Sequence, residues 1–229
     1  MSMQLTLFDD PVMPLIRDRL IAQHGRIDDM RNAEPLDQLI RSFIGSRTRD
    51  AVSGAAFEKL HARFPRWETL LVAEAKGVLA VIAEVQDAEI KSQRLIAALN
   101  KIQERRGTLD LGFLMGWPVD AAWAWLQTLP GVGPKVAAAT LNFSSLRKPI
   151  LTVDRHLLRL GKRLGLLPPK ADFLRGHRLL NALAPDGWSG HDHYQQHWLM
   201  KFHGQTICRH GAPRCRQCPL TDLCRHFNS

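Results

Sequence analysis

Apolar residues recur at helical spacing along almost the whole chain, in segments separated by short polar, glycine or proline breaks. Segment 35–44 shows the pattern clearly, because Leu36, Leu39 and Phe43 fall on one face of a helix. Further segments of this kind cover 14–23, 49–63, 67–72, 77–85, 91–103, 110–115, 118–128, 135–143, 170–184 and 194–205. A strand-like pattern occurs only at 149–153, which is too short to seed a sheet. The pattern therefore predicts an all-α fold.

The charge balance narrows the class of partner. The chain has 229 residues and a formal net charge of +9, from 31 Lys and Arg against 22 Asp and Glu. Such a balance favours a polyanion, with nucleic acid first and an anionic membrane surface second. No apolar run approaches the roughly 18 residues of a membrane span, and the N-terminus lacks the charged-then-apolar pattern of a secretion signal. We therefore expect a cytoplasmic nucleic-acid-binding protein without a membrane partner.

The segment 129–135, which reads LPGVGPK, separates two of the helical patterns. Pro134 fits the first helical turn, where its missing N–H would be unpaired anyway. Gly131 and Gly133 allow a tight turn whose backbone N–H groups can approach an anion, and a helix N-terminus adds partial positive charge. This pattern is typical of a helix–hairpin–helix, a backbone clamp for one DNA phosphate. In the simpler alternative, glycine and proline merely break two helices.

Two ionisable residues near this hairpin in the sequence are candidates for chemistry. Lys135 occupies the first turn of the next helix, where the helix dipole disfavours an ammonium and eases its deprotonation. Asp154 precedes another amphipathic helix in VDRHLLRLGKRLG, where its simplest role would be a helix N-cap. Together, LPGVGPK and VDRHLLRLGKRLG resemble the helix–hairpin–helix DNA glycosylases of the endonuclease III type, in which a lysine and an aspartate at these positions are the catalytic pair.

This resemblance implies a fold and a reaction. The expected fold is two α-helical domains with the DNA site in the cleft between them: a six-helix barrel domain at 31–147, and an iron–sulfur domain from 12–30 plus 148–229, preceded by a flexible tail at 1–11. The expected enzyme is a monomeric, bifunctional DNA glycosylase/AP lyase of base excision repair. Lys135 attacks the sugar and Asp154 stabilises the positive charge that develops there. The residues expected to hold double-stranded DNA at the hairpin are Leu129, Gly131, Val132 and Gly133.

All four cysteines lie at the C-terminal end, in the spacing Cys208-x6-Cys215-x2-Cys218-x5-Cys224. This clustering argues against a scattered disulfide framework. Four thiolates can bind a tetrahedral Zn²⁺ ion or a [4Fe–4S] cluster, and ligand chemistry alone does not choose between them. The spacing matches the cluster loop of endonuclease III and its relatives, so the resemblance implies a [4Fe–4S] cluster, with zinc as the alternative. Neighbouring arginines also make the loop a candidate phosphate-contacting patch.

The chain departs from the family in the segment FIGSRTRD at 43–50. A glutamine is usual there at the position of Arg47, and it fills the hole left by the flipped base. Arg47 could stack in that hole and pair with the orphaned base, as arginine does with guanine. The alternative is an ordinary surface arginine at a helix start. Ile90 is a candidate wedge on the other DNA strand.

The substrate is less constrained than the reaction. Segments 107–111, 117–126 and 218–227 look like the plant DNA demethylase glycosylases, which share the fold and excise 5-methylcytosine. We expect an oxidised pyrimidine as the target, with a modified cytosine or a mismatched pyrimidine as the alternative. A hypothesis of another class is a non-catalytic iron–sulfur protein that binds DNA or senses redox state. Retention of both Lys135 and Asp154 argues against it, because binding needs neither.

A short peptide at the N-terminus is a candidate binding motif for a protein partner. Segment 4–8, which reads QLTLF, resembles the peptide by which bacterial proteins dock on the replicative sliding clamp. Its expected contacts are a hydrogen bond from an amide and burial of apolar side chains; the residues are Gln4, Leu5, Leu7 and Phe8. The peptide implies a bacterial, nucleoid-associated protein. In the alternative, these apolar side chains fold back onto the first helix.

Overall fold

The computed structural model describes residues 11–30 and 32–228. These residues form ten α-helices: α1 (Val12–His24), α2 (Pro35–Ile44), α3 (Asp50–Arg63), α4 (Ala75–Val81), α5 (Ala88–Arg106), α6 (Val119–Gln127), α7 (Pro134–Phe143), α8 (Arg155–Leu164), α9 (Phe173–Ala182) and α10 (Gly190–Thr206). Three 3₁₀ helices lie at Trp67–Leu71, Gly112–Gly116 and Cys215–Gln217. Within the described ranges there is no β-strand, only one isolated bridge between Ala33 and Ser144. The all-α prediction is confirmed.

The chain divides into two compact units. One is the described part of Arg31–Lys148, which contains α2 to α7 and which we call the hairpin unit. The other combines the described parts of Met1–Met30 and Pro149–Ser229, with α1 and α8 to α10, and we call it the cysteine unit. The N-terminal helix therefore packs with the C-terminal half of the chain.

The core of the hairpin unit holds α7 in place. This helix packs against α2 and α6, and all eight of its residues from 136 to 143 are buried. A helix buried on every side is fixed by its neighbours rather than by one amphipathic face. The three consecutive alanines at 137–139 allow those neighbours to approach closely. This packing holds α7, and with it the N-terminal turn that carries Lys135, in a fixed position in the hairpin unit.

The core of the cysteine unit lies around α10, which packs against both α1 and α8. Met13, Ile16 and Leu20 of α1 are fully buried there. An ion pair of 2.9 Å between Arg17 and Asp192 adds a polar link between α1 and α10. These contacts position α8, whose first residue follows Asp154.

Helix α10 begins four residues earlier than the predicted start at 194. Ser189 and Asp192 form a capping box: the Asp192 N–H donates to Ser189 Oγ at 3.2 Å, and the Ser189 N–H donates to Asp192 Oδ2 at 2.8 Å. This reciprocal pair satisfies two backbone donors that a helix start leaves open. His191 and His193 therefore lie in the first turn of α10.

Other differences from the sequence prediction are small. The predicted helices at 67–72 and 110–115 are 3₁₀ helices at Trp67–Leu71 and Gly112–Gly116. None of the helices in the described residues is both long and apolar enough to cross a membrane. The predicted tail, apart from Pro11, and the clamp peptide at 4–8 lie outside the described residues.

Candidate active site

The segment after α6 forms a tight hairpin. The Val132 N–H donates to the Leu129 carbonyl at 3.1 Å, and Gly131 lies in the left-handed region at φ 77°. Gly133 is the N-cap of α7, and Pro134 is its first residue, as the sequence predicts. The side chains of Leu129 and Val132 are buried, so they anchor the turn in the core. They leave the backbone of the turn as the part that can meet DNA.

Gly131 is required by packing as well as by its backbone angle. A Cβ at this position would lie 2.8 Å from Phe43 Cζ and 3.1 Å from Arg94 Cδ. The turn therefore rests directly on the end of α2 and on the first half of α5. Gly133 differs, because a Cβ there would meet no atom within 4 Å.

Lys135 lies in the first turn of α7, and a second lysine stands near it. Burial, as the largest effect, lowers the pKa of Lys91 to about 8. The positive charges of Lys135 and Arg47 lower this pKa further, and the Asp87 carboxylate opposes them. Lys91, Lys135 and Arg47 thus share one electrostatic environment in the hairpin unit.

Arg47 and Ile90 lie on neighbouring segments of the same unit. Arg47 belongs to the connection between α2 and α3, and 80% of its side chain is exposed. Its Nη1 lies 3.5 Å from Asp87 Oδ2, at the start of α5. Ile90 lies in the first turn of α5 and is 51% exposed. The structure therefore brings Arg47, Ile90 and the hairpin into one region.

Asp154 is the N-cap of α8, which was its simplest expected role. Its Oδ1 accepts hydrogen bonds from the backbone N–H groups of His156 at 2.8 Å and Leu157 at 3.0 Å. From the described parts of the chain, no hydrogen bond reaches Oδ2. Capping uses one carboxylate oxygen and fixes the other, which remains available for chemistry.

The charge state of Asp154 depends on opposing effects. Burial alone would raise the pKa of its carboxyl, but the positive charge of His197 and the hydrogen bond from Leu157 outweigh burial and lower the pKa. His156 and Lys201 act in the same direction. The carboxylate is therefore ionised at neutral pH.

The four cysteines line a single cavity at the end of the cysteine unit, together with Leu160, Leu164 and Ile207. None of the four forms a disulfide. Burial, reinforced by the other three sulfurs, raises the pKa of Cys218 to about 11 against an opposing hydrogen bond from Leu220. A metal centre binds thiolates and displaces these protons, so its positive charge would offset that cost.

Polar groups also reach the cysteine sulfurs. Arg163 Nη1 donates to Cys208 Sγ at 3.2 Å, and His203 Nε2 lies 3.3 Å from Cys218 Sγ. In the ranges that the structure describes, no three His, Cys, Asp or Glu side chains are grouped closely enough to hold a single metal ion. The all-sulfur donor set on one cavity fits the ligands of an iron–sulfur cluster. The four arginines around the ligands are all exposed: Arg209, Arg214, Arg216 and Arg225.

Known proteins are similar to this chain in sequence and in fold. No protein-family model matches the chain. Endonuclease III from Rickettsia felis is 37% identical over 191 residues, which cover 83% of this chain and 83% of that protein. The chain belongs to the endonuclease III family. The predicted family is thus confirmed.

Plant relatives are also similar to this endonuclease III family member. A putative DNA glycosylase from Arabidopsis thaliana is 32% identical over 160 residues, covering 70% of this chain. DEMETER-like protein 2 from the same plant is 27% identical over 176 residues, covering 71% of this chain. The aligned region is only 54% of the first plant protein and 13% of the second. The predicted similarity to plant glycosylases is confirmed.

Solved structures confirm the predicted helix–hairpin–helix glycosylase fold. A trapped endonuclease III–DNA covalent intermediate superposes with a TM-score of 0.79 at 20% identity, covering 97% of this chain and 98% of that one. A thermostable thymine-DNA glycosylase gives a TM-score of 0.72 at 18% identity, covering 95% of each chain.

The sequence analysis missed Lys91 as a residue of this region. A signal was present in the helical pattern of α5, because Leu95, Ala98 and Ile102 extend backwards by helical spacing to position 91. A lysine in that register is placed on a core-facing stripe, where lysine is rarely found without polar partners. The structure confirms the placement, with Lys91 only 7% exposed.

The hairpin geometry predicts different effects for its two glycines. Gly131→Ala should lower the free energy of unfolding by about 1–3 kcal/mol, because a side chain at positive φ costs roughly 1–2 kcal/mol and the new methyl meets Phe43. Gly133→Ala is the control without a steric clash, with a smaller expected loss of no more than about 1 kcal/mol, because alanine is a poorer N-cap than glycine. Urea unfolding at neutral pH measures both, and equal losses in the two variants would contradict the assigned role of Gly131.

Proposed function

We propose that this chain is a bifunctional DNA glycosylase/AP lyase of base excision repair, which removes a damaged or modified pyrimidine from double-stranded DNA. Membership of the endonuclease III family supports the enzyme class, and AP lyase activity is typical of that family. The observation that carries the proposal for this chain is the presence of Lys135 at the N-terminus of the buried helix α7, directly after a backbone hairpin. Such a placement gives one lysine an anchored position beside a candidate phosphate site.

The hairpin binds and the lysine reacts in this proposal. Backbone N–H groups of the turn hold one DNA phosphate, and the excess positive charge of the chain strengthens binding without reading sequence. The target base leaves the stack, because its glycosidic carbon is not accessible inside a duplex. Arg47 fills the vacated space, and Ile90 contacts the other strand.

Lys135 forms the covalent bond. Its neutral amine attacks the anomeric carbon of the sugar, an N–C bond forms, and the glycosidic bond breaks as the base leaves with the electron pair and acquires a proton. The C1′–O4′ bond of the resulting aminal then breaks, the ring oxygen leaves with the electron pair and takes up a proton, and the opened sugar is joined to Lys135 as a protonated Schiff base, which acidifies the neighbouring C2′–H. Loss of that proton expels the 3′ phosphate by β-elimination and nicks the strand.

Asp154 supplies negative charge where the sugar becomes positive. Its lowered pKa keeps it ionised, and the cap hydrogen bonds to Oδ1 hold the carboxylate in one orientation. Oδ2 then stabilises the developing oxocarbenium charge and assists proton transfer. Helix capping and catalysis are therefore compatible roles of the same side chain.

Three classes of target base are proposed. An oxidised pyrimidine is the first candidate, because the chain belongs to the endonuclease III family. The similarity to DEMETER-like protein 2 favours a modified cytosine as the second, and the similarity of fold to a thymine-DNA glycosylase favours a mismatched pyrimidine as a further alternative. A panel of oxidised, methylated, deaminated and mismatched duplexes distinguishes them by the rate of base release.

Two substitutions test the catalytic pair. Lys135→Gln should abolish both borohydride trapping on abasic DNA and strand nicking, with DNA affinity changed by no more than a few-fold, because the hairpin backbone remains. Asp154→Asn should keep DNA binding and lose base excision by about 100-fold or more, the scale for positioned acid–base groups.

The matched control is Lys76→Gln, which removes an exposed lysine on α4. It should trap and cleave like the wild type. Undiminished trapping by Lys135→Gln would assign the nucleophile to another amine. Wild-type excision by Asp154→Asn would reduce Asp154 to a helix cap.

We further propose that Cys208, Cys215, Cys218 and Cys224 hold a [4Fe–4S] cluster, which the family typically carries. The shared cavity and the all-sulfur donor set support this assignment. The cluster supplies no step of base removal; it orders the C-terminal segment. Arg209, Arg214, Arg216 and Arg225 on that segment then contact DNA phosphates.

Metal analysis tests the cluster. Purified protein should be yellow-brown and contain about four irons per chain, with little zinc. Cys215→Ser should lose most of the colour and iron, because it removes one ligand. About one zinc per chain and no iron would instead establish the zinc alternative.

We propose a second partner besides DNA, a replicative sliding clamp, which the N-terminal peptide at 4–8 would bind. The proposed location is the cytoplasm, at the nucleoid. A few buried anchors on a short segment typically give micromolar affinity, since ordering the segment offsets much of the burial. Tethering would raise the local concentration of enzyme at replicated DNA.

Titration of clamp tests this proposal. The wild type should bind, and the double variant Leu7→Ala/Phe8→Ala should lose binding while its glycosylase activity on short duplexes stays unchanged. No measurable binding by the wild type at tens of micromolar would contradict the clamp proposal and leave the enzymatic one intact.

A further inference from the structure

The segment 45–49, which we call the Arg47 loop, is held by a buried ammonium. Lys91 lies on α5, is 7% exposed, and directs its Nζ into this loop. The Nζ donates to the carbonyl of Ile44 at 2.9 Å, to the carbonyl of Ser46 at 2.5 Å and to Thr48 Oγ1 at 3.4 Å. These three acceptors use all three N–H donors of an ammonium, the form that prevails below its pKa of about 8.

Two further contacts join the Arg47 loop to the start of α5. The backbone N–H of Gln86 donates to Thr48 Oγ1 at 3.1 Å, and Arg47 pairs with Asp87. Both Arg47 and Asp87 have left-handed backbones, at φ 59° and 58°. Such a conformation costs of order 1 kcal/mol or more in a non-glycine residue and persists only where the surroundings impose it. The junction is therefore set by several contacts together.

Two exposed side chains, those of Arg47 and Ile90, lie on the two segments that these contacts join. Arg47 extends from the loop, and Ile90 precedes Lys91 directly in the sequence. The nearby hairpin packs on the same two segments, because Gly131 rests against Phe43 and Arg94. One buried lysine thus fastens the segment that carries Arg47 to the helix that carries Ile90, and its charge is close enough to Lys135 for the two to influence each other.

We propose that Lys91 is a positioning residue for opposite-base selectivity: by fastening the Arg47 loop to α5, it makes Arg47 and Ile90 a single rigid element that faces the strand opposite the target. This inference rests on the proposed glycosylase function. A merely structural lysine would affect stability and every duplex equally, whereas a positioning lysine acts through Arg47 and changes the preference between opposite bases.

A double-mutant cycle tests the inference. Single-turnover excision of one target base is measured opposite each of the four bases for the wild type, Lys91→Met, Arg47→Gln and the double variant, well below the unfolding temperature. Lys91→Met should reduce the ratio between the best and worst opposite base by about five-fold or more, the scale of one lost base-edge contact. The double variant should have the same ratio as Arg47→Gln alone, because coupled residues are not additive.

Lys101→Met is the control on the same helix, since Lys101 pairs with the exposed Glu104 and not with the Arg47 loop within the described residues; its ratio should equal that of the wild type. If Lys91→Met does not fold, Thr48→Val is used, because it removes the hydroxyl that both Lys91 and Gln86 contact. Thr48→Val should reduce the ratio in the same direction.

Three outcomes would overturn the inference: an unchanged ratio in Lys91→Met or, where that variant does not fold, in Thr48→Val; ratio changes that multiply in the double variant; or a wild type without opposite-base preference. Borohydride trapping by the wild type separates these from failure of the proposed function. Trapping without an effect of Lys91 on selectivity overturns the Lys91 role only, and no trapping or excision overturns the function itself.

Discussion

The hairpin unit depends on the close contact between the turn at Gly131 and the side chains beneath it. The turn needs a left-handed backbone at a point where Phe43 and Arg94 leave no space for a Cβ. With glycine there, α6 and α7 can be joined tightly, and α7 is buried in the core from Val136 to Phe143. A side chain at this position would displace the turn. Every proposed contact of the hairpin with DNA follows from this packing, because it leaves the turn's backbone as the exposed part.

In the cysteine unit, one short helix connects the carboxylate to the cysteine segment. Asp154 caps the N-terminus of α8, and the last turns of the helix contact that segment through Arg159 and Arg163. Arg159 donates to the carbonyls of Gly204 and Cys208, and Arg163 donates to Cys208 Sγ. These guanidinium groups are rigid, multi-donor links. Ordering of the cysteine segment and orientation of the Asp154 carboxylate therefore share one rigid element, which would link the proposed cluster to Asp154.

The two ends of the proposed reaction use different physics. The proposed phosphate binding at the hairpin relies on backbone N–H groups and overall positive charge, which are insensitive to base sequence. The proposed discrimination falls instead to Arg47 and Ile90, and Lys91 donates buried hydrogen bonds to the segment that carries Arg47. A buried ammonium with every donor satisfied is rigid, since any movement would leave a charge unpaired in the protein interior. In this proposal, the contacts that select the opposite base and the contacts that bind any DNA phosphate are therefore separate interactions.

The sequence by itself determined the features that depend on local spacing. Helix α2 was predicted at 35–44 with its observed bounds, because proline marks its start and apolar spacing its length. The hairpin and the cap role of Asp154 followed from glycine, proline and aspartate at positions where their local backbone preferences dominate. The family could be named from the same motifs and the cysteine spacing.

Tertiary structure decided what local spacing could not express. The early start of α10 is an exception, because the capping box of Ser189 and Asp192 is a local signal, three residues apart, that apolar spacing does not register. The role of Lys91 depends on acceptors located more than 40 positions earlier in the chain. A lysine in the sequence is by default a solvated charge. The spacing of α5 places position 91 on the core side, but only the folded loop supplies the carbonyl and hydroxyl oxygens that make the burial of a lysine there possible.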